Sequence, residues 1–186
     1  MLKLISFYNN PWFNLLWFKT IWFAAVVFQD QITSLLFIVF LFHFALSIKK
    51  FTELTVMLAI GLIGCFVDGS LIALGLLPLP EQSLGFFFIP NWLLFIWLAF
   101  ATTLIRVLKP LDNHLKIAAL LGAIFGPVSY SMGINLSNPD LANTNIHFTV
   151  SLAFTWAILF PLLLRVGNLI YGHTKYYDLN SLKPQD

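Results

Sequence analysis

LTVMLAIGLIGCFVDGSLIALGLL, Leu54 to Leu77, runs for 24 residues with one charged side chain, Asp68. As a helix rising 1.5 Å per residue it covers about 36 Å, enough to cross a hydrocarbon core of ~30 Å. Five other stretches read the same way. The predicted spans are Pro11–Phe28, Ile32–Ile48, Leu54–Leu77, Asn91–Leu108, Leu115–Asn135 and His147–Ile170. Turn-forming residues separate them: QDQ, PLPEQ, KPLDN and SNPD, with a short basic break, KKFTE, before the third span. The expected fold is all-α, a polytopic transmembrane helical bundle of about six spans forming one transmembrane domain over 1–186.

Composition agrees with that reading. The chain has 186 residues, is 59% hydrophobic and only 10% charged, and has a mean hydropathy of +0.86. Soluble domains are about half apolar and a quarter charged. The net charge of +2 gives no footprint for nucleic acid. The lone cysteine, Cys65, has no intrachain partner for a disulfide. Lys3 before an apolar stretch imitates a signal peptide. Bulky aromatics, Lys19 and the lack of a small-x-small cleavage site mark the stretch as a retained first span.

Orientation follows from the basic residues. Lys3, Lys49, Lys50, Arg106, Lys109, Lys116, Arg165, Lys175 and Lys183 fall on one side of the predicted membrane; Asp30, Glu81 and Asp140 fall on the other. The positive-inside rule then places both termini in the cytoplasm, an N-in/C-in arrangement. Trp12, Trp92 and the segment FFFIPNW, Phe86 to Trp92, suit the interfaces, whereas Trp17, Trp22, Trp97 and Trp156 lie deeper and suit packing.

Small residues form two stripes. Gly61, Cys65, Asp68, Ile72 and Gly75 share one face of span three; Ala119, Gly122, Gly126, Ser129 and Gly133 share one face of span five. Small side chains let helix backbones approach where lipid offers no hydrophobic drive. The two spans are therefore expected to be close neighbours, with a bend at Pro127, which removes a backbone donor. Gly61, Gly75, Gly122, Gly126, Pro127 and Gly133 are the helix-packing candidates.

Asp68 is the most informative polar residue. A carboxylate in hydrocarbon costs about 2.5–3.5 kcal/mol on insertion scales, so it is expected to face protein or a cavity, with a partner or a use. Lys19 is the candidate counter-charge within the spans, although their depths, roughly 12 and 21 Å, differ by about 9 Å. Its long stem also suits snorkelling towards the cytoplasmic headgroups. An ion pair or hydrogen-bond anchor, a functional carboxylate and protonated burial all stay open for Asp68. Ser129, Tyr130 and Thr155 complete the candidate intramembrane polar site. His43 reads as a packed histidine. The four histidines show no metal-ligand spacing, and no P-loop or GxSxG occurs. No metal, cofactor or catalytic residue is expected, and a non-enzymatic role is favoured.

Three blocks carry a family resemblance: GCFVDGSLIALGL, PNWLLFIWLAFATTL and GAIFGPVSYSMG. Together they make the chain resemble the bacterial integral membrane family known as domain of unknown function 2878. The resemblance implies an inner-membrane location. Through the family's gene neighbours, fatty-acid methyltransferases and photolyases, it also implies a role in membrane-lipid modification under stress. It gives Lys19 no role, because family members carry small residues in the first span. The leading functional expectation is an accessory factor in fatty-acyl modification, partnered by the lipid bilayer and by a cytoplasmic or membrane protein. The alternatives are a small transporter or lipid flippase using Asp68, and a non-catalytic assembly scaffold.

Overall fold

A computed structural model of the chain describes residues 10–78, 89–138 and 146–181, with side chains up to Gly172 in the last segment. Lys3, Glu81, Phe86, Asp140 and Lys183, and the side chain of Lys175, lie outside the described residues. Six α-helices occupy the described segments. They are α1 (Pro11–Phe28), α2 (Thr33–Leu46), α3 (Lys50–Ala73), α4 (Asn91–Arg106), α5 (Leu115–Ser137) and α6 (Ile146–Ser181). Short 3-10 turns, Gln29–Ile32 and Lys109–Asn113, join α1 to α2 and α4 to α5. All the elements assigned among the described residues are helical, as the apolar runs require.

Local chemistry sets the boundaries. Asn10 caps α1 by accepting from the Trp12 backbone N–H at 2.8 Å, and Pro11 fills the first helical position, where no N–H is needed. Gln29 ends α1 at φ 49°, a conformation that disfavours side chains and reverses the chain. α3 starts at Lys50, four residues before the predicted Leu54, and stops at Ala73 instead of Leu77. Its stop is a Schellman turn. Gly75 N–H bonds Ile72 C=O at 2.9 Å, Leu76 N–H bonds Leu71 C=O at 2.8 Å, and Gly75 takes φ 68°. The role expected of Gly75 in packing is thereby corrected: among the described residues no atom beyond its chain neighbours lies within 4 Å of a Cβ built there, and the residue serves the cap.

Four helical stretches among the described residues are long and apolar enough to cross a membrane: Pro11–Leu46, Lys50–Ala73, Leu115–Ser137 and Ile146–Gly172. The first is a hairpin, since Trp17 of α1 lies 5.3 Å from Phe40 and 4.9 Å from His43 of α2, ring centre to ring centre. In one straight helix Trp17 and His43 would stand about 39 Å apart. α4 is apolar but shorter, with 16 residues.

α4 is the central element. It packs against α1, α2, α3 and α6, and it buries Trp97, Ala99, Ala101, Thr102 and Leu104. α5 packs most extensively on α6, and α6 also packs on α3. The expected α3–α5 adjacency is found only in part: the two helices meet through the Tyr130 hydroxyl and Asp68, while α4 and α6 supply the extensive packing against α3. The reason is steric. The small residues of both stripes receive bulky side chains from α4 and α6, not each other's backbone.

Polarity is inverted relative to a water-soluble protein. Asn14, His43, Glu53, Asp68 and Thr102 are buried, while Phe37, Leu41, Phe42, Leu62, Phe66, Phe125 and Phe154 are exposed. An apolar surface that extensive calls for an apolar surrounding. Basic residues gather at one end. The ammonium groups of Lys49 and Lys109 lie 5.0 and 5.3 Å from the Tyr171 ring centre, and Arg165 Nε is 3.3 Å from Asp112 Oδ1.

Candidate functional site

Asp68 sits in the last third of α3 and is 1% exposed. Its partners come from two other helices. The Trp97 indole N–H on α4 donates to Oδ2 at 2.7 Å, and the Tyr130 hydroxyl on α5 donates to Oδ1 at 2.7 Å. Trp97 in turn lies parallel to Trp156 of α6, with ring centres 5.6 Å apart and planes 4° from parallel. Tyr130 meets Trp156 edge-on at 6.1 Å. A buried carboxylate is tolerated only when both oxygens find donors, and here both do.

Glycines make the aromatic arrangement possible. A Cβ at Gly64 would fall inside the Trp97 indole, one at Gly126 inside the Trp156 side chain, and one at Gly122 on the Trp156 carbonyl. At Gly61 the clash is milder, 3.0 Å to Leu98 Cδ2, and at Gly133 the nearest atom is an ordinary 3.8 Å away. The GxxxG of α5 is therefore a seat for a tryptophan and its backbone. Pro127 is buried within the same helix, which runs on through it.

Beside this site lies an apolar cavity of about 360 Å³ between α1, α4, α5 and α6. Phe18 and Trp22, Phe100, Phe125 and Phe160 line it, and Trp97 and Trp156 form part of its wall. Ser129 and Tyr130 also belong to the lining. A volume of that size is typical of a small-molecule site with few polar groups.

Of the five predicted polar candidates, Asp68 and Tyr130 are bonded to each other, and Ser129 lines the adjoining cavity. Thr155 is half-buried on α6 and takes no part in the Asp68 hydrogen bonds found among the described residues. Lys19 is corrected outright. It is exposed on α1, and Asp68 is held by two neutral donors instead of a cation. Sequence reasoning missed Trp97 as a ligand of the carboxylate. Its signal was present, because a deeply placed indole N–H needs an acceptor.

A second buried carboxylate, Glu53, was also missed, since KKFTE reads as a loop. Glu53 is 4% exposed in the first turn of α3. Arg106 of α4 donates to Oε1 through Nε at 3.1 Å and also through Nη2. Ser47 Oγ–H donates to Oε2 at 2.7 Å, and His43 Nε2 lies 3.1 Å from the same oxygen. Trp17 stacks on His43, and nearby on the same helices Asn14 Nδ2 donates to Thr102 Oγ1 at 3.0 Å. His43 is thus a packed histidine, and it is also a carboxylate partner. Among the described residues no three His, Cys, Asp or Glu side chains cluster as metal ligands.

The three blocks that carry the family resemblance converge on the first site: the first supplies Gly64 and Asp68, the second Trp97, the third Gly126 and Tyr130. No curated protein and no solved structure shows a match to the chain. The family model described as "Protein of unknown function (DUF2878)" matches residues 11–162, most of the chain, and the protein belongs to that family.

Proposed function

We propose that the protein is a polytopic bacterial inner-membrane protein that holds an apolar lipid chain in the aromatic cavity and serves as an accessory factor in acyl modification of membrane lipids. The observation that carries this reading is the cavity itself: about 360 Å³, walled by aromatic rings, with Ser129 and Tyr130 among its lining residues. A chain removed from the bilayer gains little from hydrophobicity alone, so shape and polar recognition decide selectivity.

Six crossings with both termini cytoplasmic remain the preferred topology. The hairpin of α1 and α2 supports two passes in place of one, and the Lys49, Lys109 and Tyr171 cluster supports a single basic end. α2 and α4 are short, about 21 and 24 Å by helical rise, and local thinning or tilt accommodates such mismatch. Transport coupled to Asp68 has weaker support, because both carboxylate oxygens are engaged by neutral donors.

The test joins two measurements. Lipids retained by the purified protein are identified by native mass spectrometry, for the wild type and for Leu121→Trp, which fills the cavity from a half-buried wall position. The fatty-acid composition of a deletion strain is compared after complementation with each. Retained lipid that the filled variant loses, together with a composition only the wild type restores, is the expected result. An unchanged composition on deletion and no retained lipid would overturn the reading.

A further inference from the structure

We infer that the lipid taken by the cavity is an anionic glycerophospholipid, with one acyl chain inside and its phosphate at Lys49 and Lys109. The inference rests on the cavity reading above and adds to it the direction of the chain and the charge of its head. One end of the cavity is closed. Beyond Tyr130, α1 reaches α5 at Gly133, where Val26 Cγ2 and Trp22 Cζ2 lie 3.8 and 3.9 Å from a Cβ built on the glycine. The void there measures about 40 Å³.

In the other direction the lining continues to Leu108 and to Leu111, in the turn that follows α4. Leu93 and Leu108, both in the lining, are roughly 22 Å apart by helical rise, more than the ~15 Å depth of one leaflet. Lys109 lies between the two leucines in the chain, so the cavity runs towards the basic end. It also has an open side. Phe125 lines it and is 62% exposed, while Phe18 and Trp22 line it from α1 and are half-buried. The opening lies between α1 and α5, on the apolar surface. A chain enters sideways there, and the second chain of the same lipid stays in the bilayer.

Charge selects the head. The ammonium groups of Lys49, before α3, and Lys109, after α4, meet over the Tyr171 ring at 5.0 and 5.3 Å from its centre. Converging cations repel each other, and the face of a tyrosine offsets only part of that. Among the described residues no carboxylate is paired with either lysine. The acidic side chain of the turn, Asp112, is engaged by Arg165. A phosphodiester brings one negative charge and two free oxygens, one for each ammonium. A zwitterionic head brings an ammonium of its own towards the pair and is disfavoured.

The experiment offers the full-length, delipidated protein in detergent an equimolar mixture of three lipids with identical chains: phosphatidylglycerol, phosphatidylethanolamine and the free fatty acid. Native mass spectrometry counts what is retained. Phosphatidylglycerol should exceed phosphatidylethanolamine roughly tenfold, a preference that shrinks as salt is raised. Lys49→Gln with Lys109→Gln should bring phosphatidylglycerol down to the level of phosphatidylethanolamine, with an unchanged unfolding temperature as the check on folding. Leu121→Trp should lose both. Equal retention of the two phospholipids by the wild type overturns the charge assignment and leaves the cavity reading standing. Preference for the fatty acid overturns the glycerophospholipid class. A preference that survives the double lysine change, or high salt, overturns the placement of the head. Retention that survives Leu121→Trp overturns the placement of the chain, and no retained lipid on folded wild type overturns both readings.

Discussion

Asp68 and Glu53 are both buried carboxylates on α3, about four turns apart, and their surroundings have little in common. Glu53 is met by the Arg106 guanidinium, with His43 and Ser47 filling its second oxygen. Asp68 is met by two neutral donors, Trp97 and Tyr130, and the cavity adjoins it. The first arrangement ties α2, α3 and α4 together at the basic end of the bundle. The second adjoins a space large enough for a ligand. A buried charge matched by a cation holds the fold; one matched by neutral, polarisable donors leaves chemistry to be used.

The largest way to break that comparison is Arg106→Ala. It leaves Glu53 buried without its cation, which costs about 3–5 kcal/mol. Unfolding of the detergent-solubilised protein, followed by tryptophan fluorescence, should show this as the greatest single loss. Replacing both members, Glu53→Leu with Arg106→Leu, should recover only part, because His43 and Ser47 then lose their acceptor. Full stability in Arg106→Ala would mean that the ion pair does not hold the helices.

Next comes Gly64→Leu, which forces the Trp97 indole from its place. Overpacking of this kind costs about 1–3 kcal/mol, and the displaced indole also releases Asp68. Its signature is a joint loss of stability and of cavity binding. Stability retained with binding unchanged would show that Trp97 has another way to pack.

Asp68→Asn is gentler. The amide keeps one carbonyl acceptor, so one of the two donors retains a partner and the expected loss is about 1–2 kcal/mol. That is smaller than the Arg106 effect, even though Asp68 lies deeper in the apolar region. A larger loss than for Arg106→Ala would reverse the assignment of which carboxylate holds the fold. Smallest of all, Lys19→Gln should change stability by less than about 0.5 kcal/mol, as for other exposed positions without a partner. A marked effect would reinstate the counter-charge role that the exposed position of Lys19 denies it.

Much of the fold is legible in the residues. The six helical segments follow from apolar run length and turn chemistry, both local properties, and α1 begins and ends where Pro11 and Phe28 indicate. The limits of α3 were misplaced for a traceable reason. Hydropathy excluded Glu53 and the lysines from the helix, whereas Arg106 from another helix makes a buried Glu53 acceptable. The inward placement of Asp68 was legible from its small neighbours, and Tyr130 was named in the same polar site, but Trp97 as its second donor was not. Lys19 was favoured by charge alone, and charge pairing ignores which way a helix is turned.

What the sequence determined by itself is the kind of molecule: an α-helical chain with an apolar exterior, a carboxylate inside an apolar run and turned towards protein, and glycines reserved for close approach. These follow from solvent and from helical periodicity, which act residue by residue. The tertiary structure decided what makes the approach. A stripe of small residues records that something comes near, and it does not distinguish a backbone from a tryptophan. Only the rotation and order of the helices placed Trp97 in the space left by Gly64 and Trp156 in that left by Gly126, and brought the Tyr130 hydroxyl to Asp68. Such contacts join residues tens of positions apart, and their free energy depends on geometry that no local pattern encodes.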